Sequence, residues 1–224
     1  MKLVIFDLDG TLVDSIGDLG TAVNHALESR GLPTRDLSEY YMMVGNGVRK
    51  LVQRAMPVEL AGDAGLLEEL LAAFVEYYSS HIDVRTRPYP GMVDLLSRLS
   101  KAGYALGVAS NKFQSGVDTL VAEFFPDVEF VEVLGNGPDA PLKPSPEVVQ
   151  RIMAKASGAG TMDPGDVVMV GDSSTDIETA ANAGIASIAV TWGFRPEESL
   201  GGAAYLAHDA AELEEMIKLS AGEA

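Results

Sequence analysis

The sequence predicts an α/β fold: a parallel sheet buried between helices, interrupted near its start by an all-helical segment. Five short apolar runs recur, LVIF (3–6), YALGVAS (104–110), VEFVEVL (128–134), VVMVG (167–171) and IASIAV (185–190). They lack clean polar alternation, as strands covered on both faces do. Helix-period segments separate them, so the strands run parallel. Between Ser15 and about Val84 the strand signal vanishes.

In chain order, LVIF supplies the first strand. The interruption then carries three amphipathic stripes: Ile16, Leu19, Val23 and Leu27, ending at Gly31-Leu32-Pro33; Val48, Leu51, Val52 and Ala55; and Leu66, Leu67, Leu70, Leu71, Phe74 and Tyr78. About seventy helical residues inside an α/β pattern are expected to form an inserted lid domain, residues 16–84, on a core made of 1–15 and 85–224. Its crossings fall near Leu12–Ile16 and Arg85–Tyr89. Beyond it, MVDLLSRLSKAG aligns Met92, Leu95, Leu96 and Leu99 and stops at Gly103, and EVVQRIMAK aligns Val148, Val149, Ile152 and Met153. The tail closes with Leu213, Met216 and Ile217.

Composition limits the chemistry. The 224 residues contain no cysteine, which removes disulfides, thiolate catalysis and zinc–thiolate sites. His25, His81 and His208 are too scattered for a histidine metal site, so a metal must be held mainly by oxygen. Thirty-three acids against 16 bases give a net charge of −17, which argues against nucleic-acid binding. With no apolar run of membrane-spanning length and no cleavage pattern after Lys2, the chain is expected to be cytoplasmic, a monomer or homodimer without membrane or nucleic-acid partners.

In open parallel sheets, ligands bind beyond the carboxyl ends of the strands. Four such ends carry polar residues. The first ends Asp7-Leu8-Asp9-Gly10-Thr11; in extended geometry the two acids face one site, and Gly10 permits a sharp turn. The second ends Ser110-Asn111-Lys112, a hydroxyl followed by amides opening toward a helix. After the third, Pro144 holds Lys143 extended, and Ser145-Pro146 predicts a helix cap and first helical residue. The fourth ends Gly171-Asp172-Ser173-Ser174-Thr175-Asp176, where Ser173 and Asp176 fit a capping box that leaves Asp172 unexplained. Acids converging from Asp7, Asp9, Asp172 and Asp176 need a cation, and Mg²⁺ suits carboxylates, water and a substrate phosphate. One carboxylate then attacks phosphorus while its neighbour serves as acid and base, with Lys143 and Ser110 on the phosphoryl oxygens.

Together, D-x-D-G-T-L-V-D-S (7–15), Ser110-Asn111, Lys143-Pro144 and G-D-S-x-x-D (171–176) resemble the four ordered motifs of the haloacid dehalogenase-like hydrolases. The resemblance implies a Rossmann-like, HAD-like core with an inserted all-helical C1 cap. It implies Asp7 as nucleophile and Asp9 as general acid/base, with Asp9 reaching Mg²⁺ through its backbone carbonyl and Asp172 as the remaining protein ligand. Ser110, Asn111 and Lys143 would hold phosphate, Asp176 would bind metal waters or steady Lys143, and Thr11 would support the first loop. Asp9 argues against the dehalogenases themselves, which lack that acid. The P-type ATPase motif DKTGT is absent, as is the G-x-G-x-x-G of a dinucleotide-binding domain.

Within the insertion, MVGNGVRKLVQRAM (43–56) looks like the VGNG segment of bacterial phosphoglycolate phosphatases, as does the Thr191-Trp192-Gly193-Phe194 stretch. Gly45 and Asn46 are expected to bring amides to the substrate, and Arg49 to meet a substrate carboxylate with its planar fork. Trp192 is expected to serve packing. The expected substrate is a small phosphorylated metabolite, 2-phosphoglycolate foremost. The alternatives are a β-phosphoglucomutase-like sugar-phosphate mutase, or a phosphatase for nucleotides, pyrophosphate or sugar phosphates.

Overall fold

The structure is a computed structural model and describes residues 2–137, 141–158 and 160–223. Residues 1 and 224 of the expected core lie outside them. Six parallel strands form one sheet in the order β5-β4-β1-β6-β7-β8: β1 (Leu3–Phe6), β4 (Ala105–Phe113), β5 (Phe130–Asn136), β6 (Val167–Gly171), β7 (Ala186–Val190) and β8 (Tyr205–Ala207). The last was not predicted. It is three residues long on the sheet edge, too short to show a pattern.

β1 is central, and its register sets Phe6 beside Val108 of β4 and Val170 of β6. The chain proceeds from β1 outward through β4 and β5, then returns to the other flank with β6. The strand order therefore reverses at β1, which opens a crevice beyond its carboxyl end. Side chains alternate as the pleat requires: Val4 and Phe6 enter one apolar cluster, Leu3 and Ile5 the other. All four are at most 1% exposed, and each contributes about 1.5–3 kcal/mol by burial.

The helices follow their predicted stripes. In α4 (Met92–Lys101), Met92, Leu95, Leu96 and Leu99 are buried; in α6 (Glu147–Ser157), Val148, Val149 and Ile152 are buried and Met153 is half-buried. In α8 (Ala210–Ser220), Leu213 and Ile217 are buried. Helix α6 begins at Glu147 with Pro146 as its cap, one residue later than expected, and Ser145 Oγ accepts from the Glu147 amide. The remaining helices of the α/β part are α5 (Gln114–Phe124) and α7 (Ser174–Ala183).

The segment between residues 15 and 86 holds α1 (Ile16–Glu28), α2 (Val48–Ala55) and α3 (Ala64–Tyr78). Its two crossings pair with each other as a short antiparallel ribbon, β2 (Val13–Asp14) with β3 (Arg87–Pro88), which the sequence pattern did not reveal. Asp18 on α1 braces this ribbon: its carboxylate accepts from the Arg85 and Thr86 amides and the Thr86 hydroxyl at 2.8–3.0 Å. A buried carboxylate with these donors is well satisfied, so both crossings are fixed to the first turn of α1.

Candidate active site

The site lies beyond the carboxyl ends of β1, β4 and β6. Asp7 directly follows β1, its amide still bonded to the Val170 carbonyl at 2.9 Å. Lys143 Nζ reaches Asp7 at 2.9 Å and Asp176 at 2.6 Å, and the lysine side chain is only 2% exposed. Carboxylate oxygens of Asp7, Asp172 and Asp176 all lie within 4.8 Å of one another.

Two of these three buried acids thus contact one ammonium, and the third stands beside them. Burial pushes the Asp7 carboxyl well above the ordinary carboxylate range; Lys143 opposes the shift, while Asp176 and Asp172 add to it. Asp172 is pushed up to about 7, again mainly by burial and then by Asp176. Burial works to lower the Lys143 ammonium, but Asp176 and Asp7 outweigh it and hold the group above the ordinary lysine value.

The surrounding backbone is shaped to this cluster. Gly10 has φ +88°, and a Cβ there would stand 2.4 Å from Asp172 Oδ2. A Cβ on Gly193 would stand 2.2 Å from Asp172 Cβ and 2.4 Å from the Gly10 carbonyl. Asp172 accepts from the Phe194 amide at 2.7 Å through one oxygen; the other accepts no hydrogen bond among the described residues. Three clustered carboxylates with only one ammonium among them offer oxygen ligands that fit a hard divalent cation.

Both acids of the first loop line one cleft, but only Asp7 joins the acid–lysine cluster. β1 stops at Phe6, and the Thr11 and Leu12 amides bond back to the Leu8 carbonyl, so strand alternation no longer governs Asp9. Its carboxylate instead accepts from Ser15 Oγ at 2.5 Å and Lys112 Nζ at 3.1 Å.

Asp176 combines the two roles left open by its motif. One oxygen accepts from the Ser173 amide and hydroxyl at 3.1 and 2.7 Å and starts α7; the other holds Lys143. Ser110 Oγ accepts from the Lys112 amide at 3.2 Å, and its own proton remains for a ligand. The Asn111 side chain is committed within the chain: its oxygen accepts from the Lys143 amide, and its two N–H groups go to the carbonyls of Lys143 and Gly45, so a phosphate would meet this residue through its backbone amide. Thr11 Oγ1 is buried without a hydrogen-bond partner among the described residues, while the Thr11 carbonyl accepts from Trp192 Nε1 at 3.2 Å. Trp192 packs against the core.

The insertion covers the cleft with Leu19, Val44, Val48, Leu51 and Phe74, and Gly45 also lines it. Asn46 stands beside it, its oxygen accepting from Arg54 at 2.7 Å and its amide 3.5 Å from Thr175 Oγ1. Arg49 is not brought there: α2 buries Leu51, Val52 and Ala55, and Arg49 points outward to Glu68 at 2.7 Å, 57% exposed.

Three participants escaped sequence reasoning. Lys112 bonds Asp9 and, at 2.6 Å, the hydroxyl of Tyr78 from α3. Burial, then the nearby Asp9 charge, raise the Tyr78 phenol well above its ordinary value, so it stays protonated. Arg195, beyond β7, donates to the carbonyls of Tyr41 and Val44 and clasps the insertion. Lys112 adjoins a motif and was there to be weighed; Arg195 sits in irregular chain with no local signal.

A parallel sheet with a buried acid–lysine cluster at its switch point defines a hydrolase-type α/β protein. The family model for haloacid dehalogenase-like hydrolases matches residues 4–190. The chain belongs to that family. It is 34% identical over 193 residues to the phosphoglycolate phosphatase of Mesorhizobium japonicum, covering 86% of this chain and 83% of that one. It is 31% identical over 227 residues to the phosphoglycolate phosphatase of Vibrio parahaemolyticus, covering 99% and 98%. Among solved structures, a predicted phosphoglycolate phosphatase from Haemophilus somnus superposes with a TM-score of 0.86 at 30% identity, covering 96% of this chain and 97% of that one.

Proposed function

We propose that this chain is a phosphoric monoester hydrolase acting on a small organic phosphomonoester, with 2-phosphoglycolate as the preferred substrate. The observation that carries the proposal is the contact of Asp7 with Lys143 inside a three-carboxylate cluster at the strand-order switch point. Asp7, Asp172 and the Asp9 backbone carbonyl would hold Mg²⁺, with Asp176 behind them. Bound there, the ion would offset charge on the phosphoryl oxygens.

The steps then follow from the chain's own groups. An Asp7 oxygen attacks phosphorus as the bond to the ester oxygen breaks, giving an aspartyl-phosphate. Asp9, placed in the same cleft, donates a proton to the departing alkoxide and next takes one from the water that attacks the intermediate. Inorganic phosphate leaves and Asp7 is restored. Lys143 balances charge beside Asp7, and the Ser110 hydroxyl orients a phosphoryl oxygen. Residues 16–84 act as a cap over the core formed by 1–15 and 85–224, excluding water while the intermediate exists. The names of the relatives and the apolar, close roof of the cleft support a small substrate.

The test is phosphate release from a panel comprising 2-phosphoglycolate, hexose phosphates, nucleotides and pyrophosphate, with and without Mg²⁺. Mg²⁺-dependent turnover that is highest on 2-phosphoglycolate and lost in Asp7→Asn is expected. Equal rates in wild type and Asp7→Asn would end the proposal.

A further inference from the structure

We propose that Lys112, with the Tyr78 hydroxyl beside it, is the specificity-determining pair for a carboxylate carried by the substrate near its phosphate. The inference rests on the phosphatase function proposed above and names the residues that select among its substrates.

Lys112 follows Ser110 by two positions at the end of β4, lines the cleft, and has a side chain only 2% exposed. Its ammonium reaches Asp9 Oδ1 and Oδ2 at 3.1 and 3.2 Å and the Tyr78 oxygen at 2.6 Å. The Tyr78 oxygen accepts that bond, so its own proton is left over, and it meets no acceptor among the described residues. A buried ammonium and a buried O–H donor therefore stand side by side on one wall of the cleft. The ammonium already has Asp9 as its counter-ion, so the Tyr78 O–H is the buried donor left without an acceptor; a carboxylate, which has two oxygens and only accepts, can take that proton while sharing the ammonium with Asp9.

Among the described residues Lys112 is the cation that lines the cleft; the others nearby have partners of their own. Lys143 holds Asp7 and Asp176; Arg195 holds the carbonyls of Tyr41 and Val44; Arg54 holds the Met43 carbonyl and Asn46; Arg49 faces Glu68. Leu19, Val44, Val48, Leu51 and Phe74, which also line the cleft, offer no polar side chain to the hydroxyls of a sugar. With the phosphate at Asp7, a substrate carboxylate in this cleft has Lys112 as its cation. It would bridge Lys112 and Tyr78 while Asp9 keeps one of its two contacts to the ammonium.

The experiment compares hydrolysis of 2-phosphoglycolate with that of ethyl phosphate, which is close in size and lacks the carboxylate. Wild type is expected to prefer 2-phosphoglycolate in kcat/KM. Lys112→Met is expected to shrink that preference roughly tenfold or more, chiefly by weakening apparent binding of the carboxylated ester, and Tyr78→Phe to shrink it about threefold. Equal losses on both esters would mean that Lys112 acts only by holding Asp9, and would overturn the assignment. Wild type that hydrolyses both esters without preference would overturn it too, yet leave the phosphatase function standing. Wild type that hydrolyses neither would remove that function and the assignment with it. Should Lys112→Met fail to fold, inhibition of wild type decides: phosphonoacetate is expected to bind roughly tenfold tighter than ethylphosphonate, and equal inhibition rejects the pair.

Discussion

Asn111 holds Lys143 from both sides of its backbone: the side-chain oxygen accepts from the Lys143 amide at 2.8 Å, and the side-chain nitrogen donates to the Lys143 carbonyl at 3.1 Å. The lysine that touches Asp7 is thus placed by a side chain from the neighbouring strand. Asn111→Ala is expected to lower kcat roughly 10–100-fold by letting Lys143 shift, since small misplacements near the reacting centre are costly. Steady-state kinetics beside a near-native circular dichroism spectrum checks this. Asn111→Asp is expected not to rescue, because a carboxylate cannot donate to the Lys143 and Gly45 carbonyls.

Asp172 links the site to stability. Its pKa is raised from 3.8 to about 7 by burial and Asp176, so the folded state without metal holds that proton more tightly than the unfolded state. A raised acid destabilises as pH climbs: the loss starts above the unfolded value near 3.8, grows through the folded value, and is complete above about 7. Asp7 acts with the same sign. Metal-free protein is therefore expected to melt lower at pH 8 than at pH 5.5, with Mg²⁺ reversing the loss. Asp172→Asn should flatten that slope and raise the metal-free Tm while removing activity. Thermal melts across pH, with and without Mg²⁺, decide it.

Gly193 has no room to become alanine. An added Cβ would meet Asp172 Cβ at 2.2 Å and the Gly10 carbonyl at 2.4 Å, and neither is the free end of a flexible chain. Gly193→Ala is expected to destabilise by about 1–3 kcal/mol or more, and to reduce activity further than stability alone explains, because the displaced group is Asp172. Urea unfolding and kcat/KM measured on the same preparation separate the two effects.

Arg195 tests the clasp between insertion and core. Its guanidinium forks onto the carbonyls of Tyr41 and Val44, which the point charge of lysine does not reproduce. Arg195→Lys is expected to raise KM about 3–10-fold and to speed hydrogen exchange over residues 41–48, with kcat changed less. Unchanged exchange there would show that the clasp does not hold the segment.

Much of the site was legible. Asp7, Ser110 and Asp172 could be picked out because they sit where buried apolar strands stop, and Lys143 and Asp176 because each stands at or just before a helix start that follows such a strand. The buried helical stripes at Met92, Leu95, Leu96 and Leu99, and at Leu67, Leu70, Phe74 and Tyr78, were legible because burial imposes a period on the chain. Arg49 misled because residue type gives a side chain's capability without its direction. That the Asn111 side chain would brace Lys143 was not legible, because that contact joins residues 32 positions apart.

By itself the sequence determined the α/β class, the helical interruption and the polar strand ends, since each is written in local periodicity and spacing. Tertiary structure alone decided that Asp9 turns from Asp7 toward Lys112, that Tyr78 of α3 meets that lysine beside the cleft, and that Arg195 grips the segment at 41–44. Those are contacts between residues up to 154 positions apart. They depend on how the sheet and the insertion pack together, for which a linear pattern carries no period.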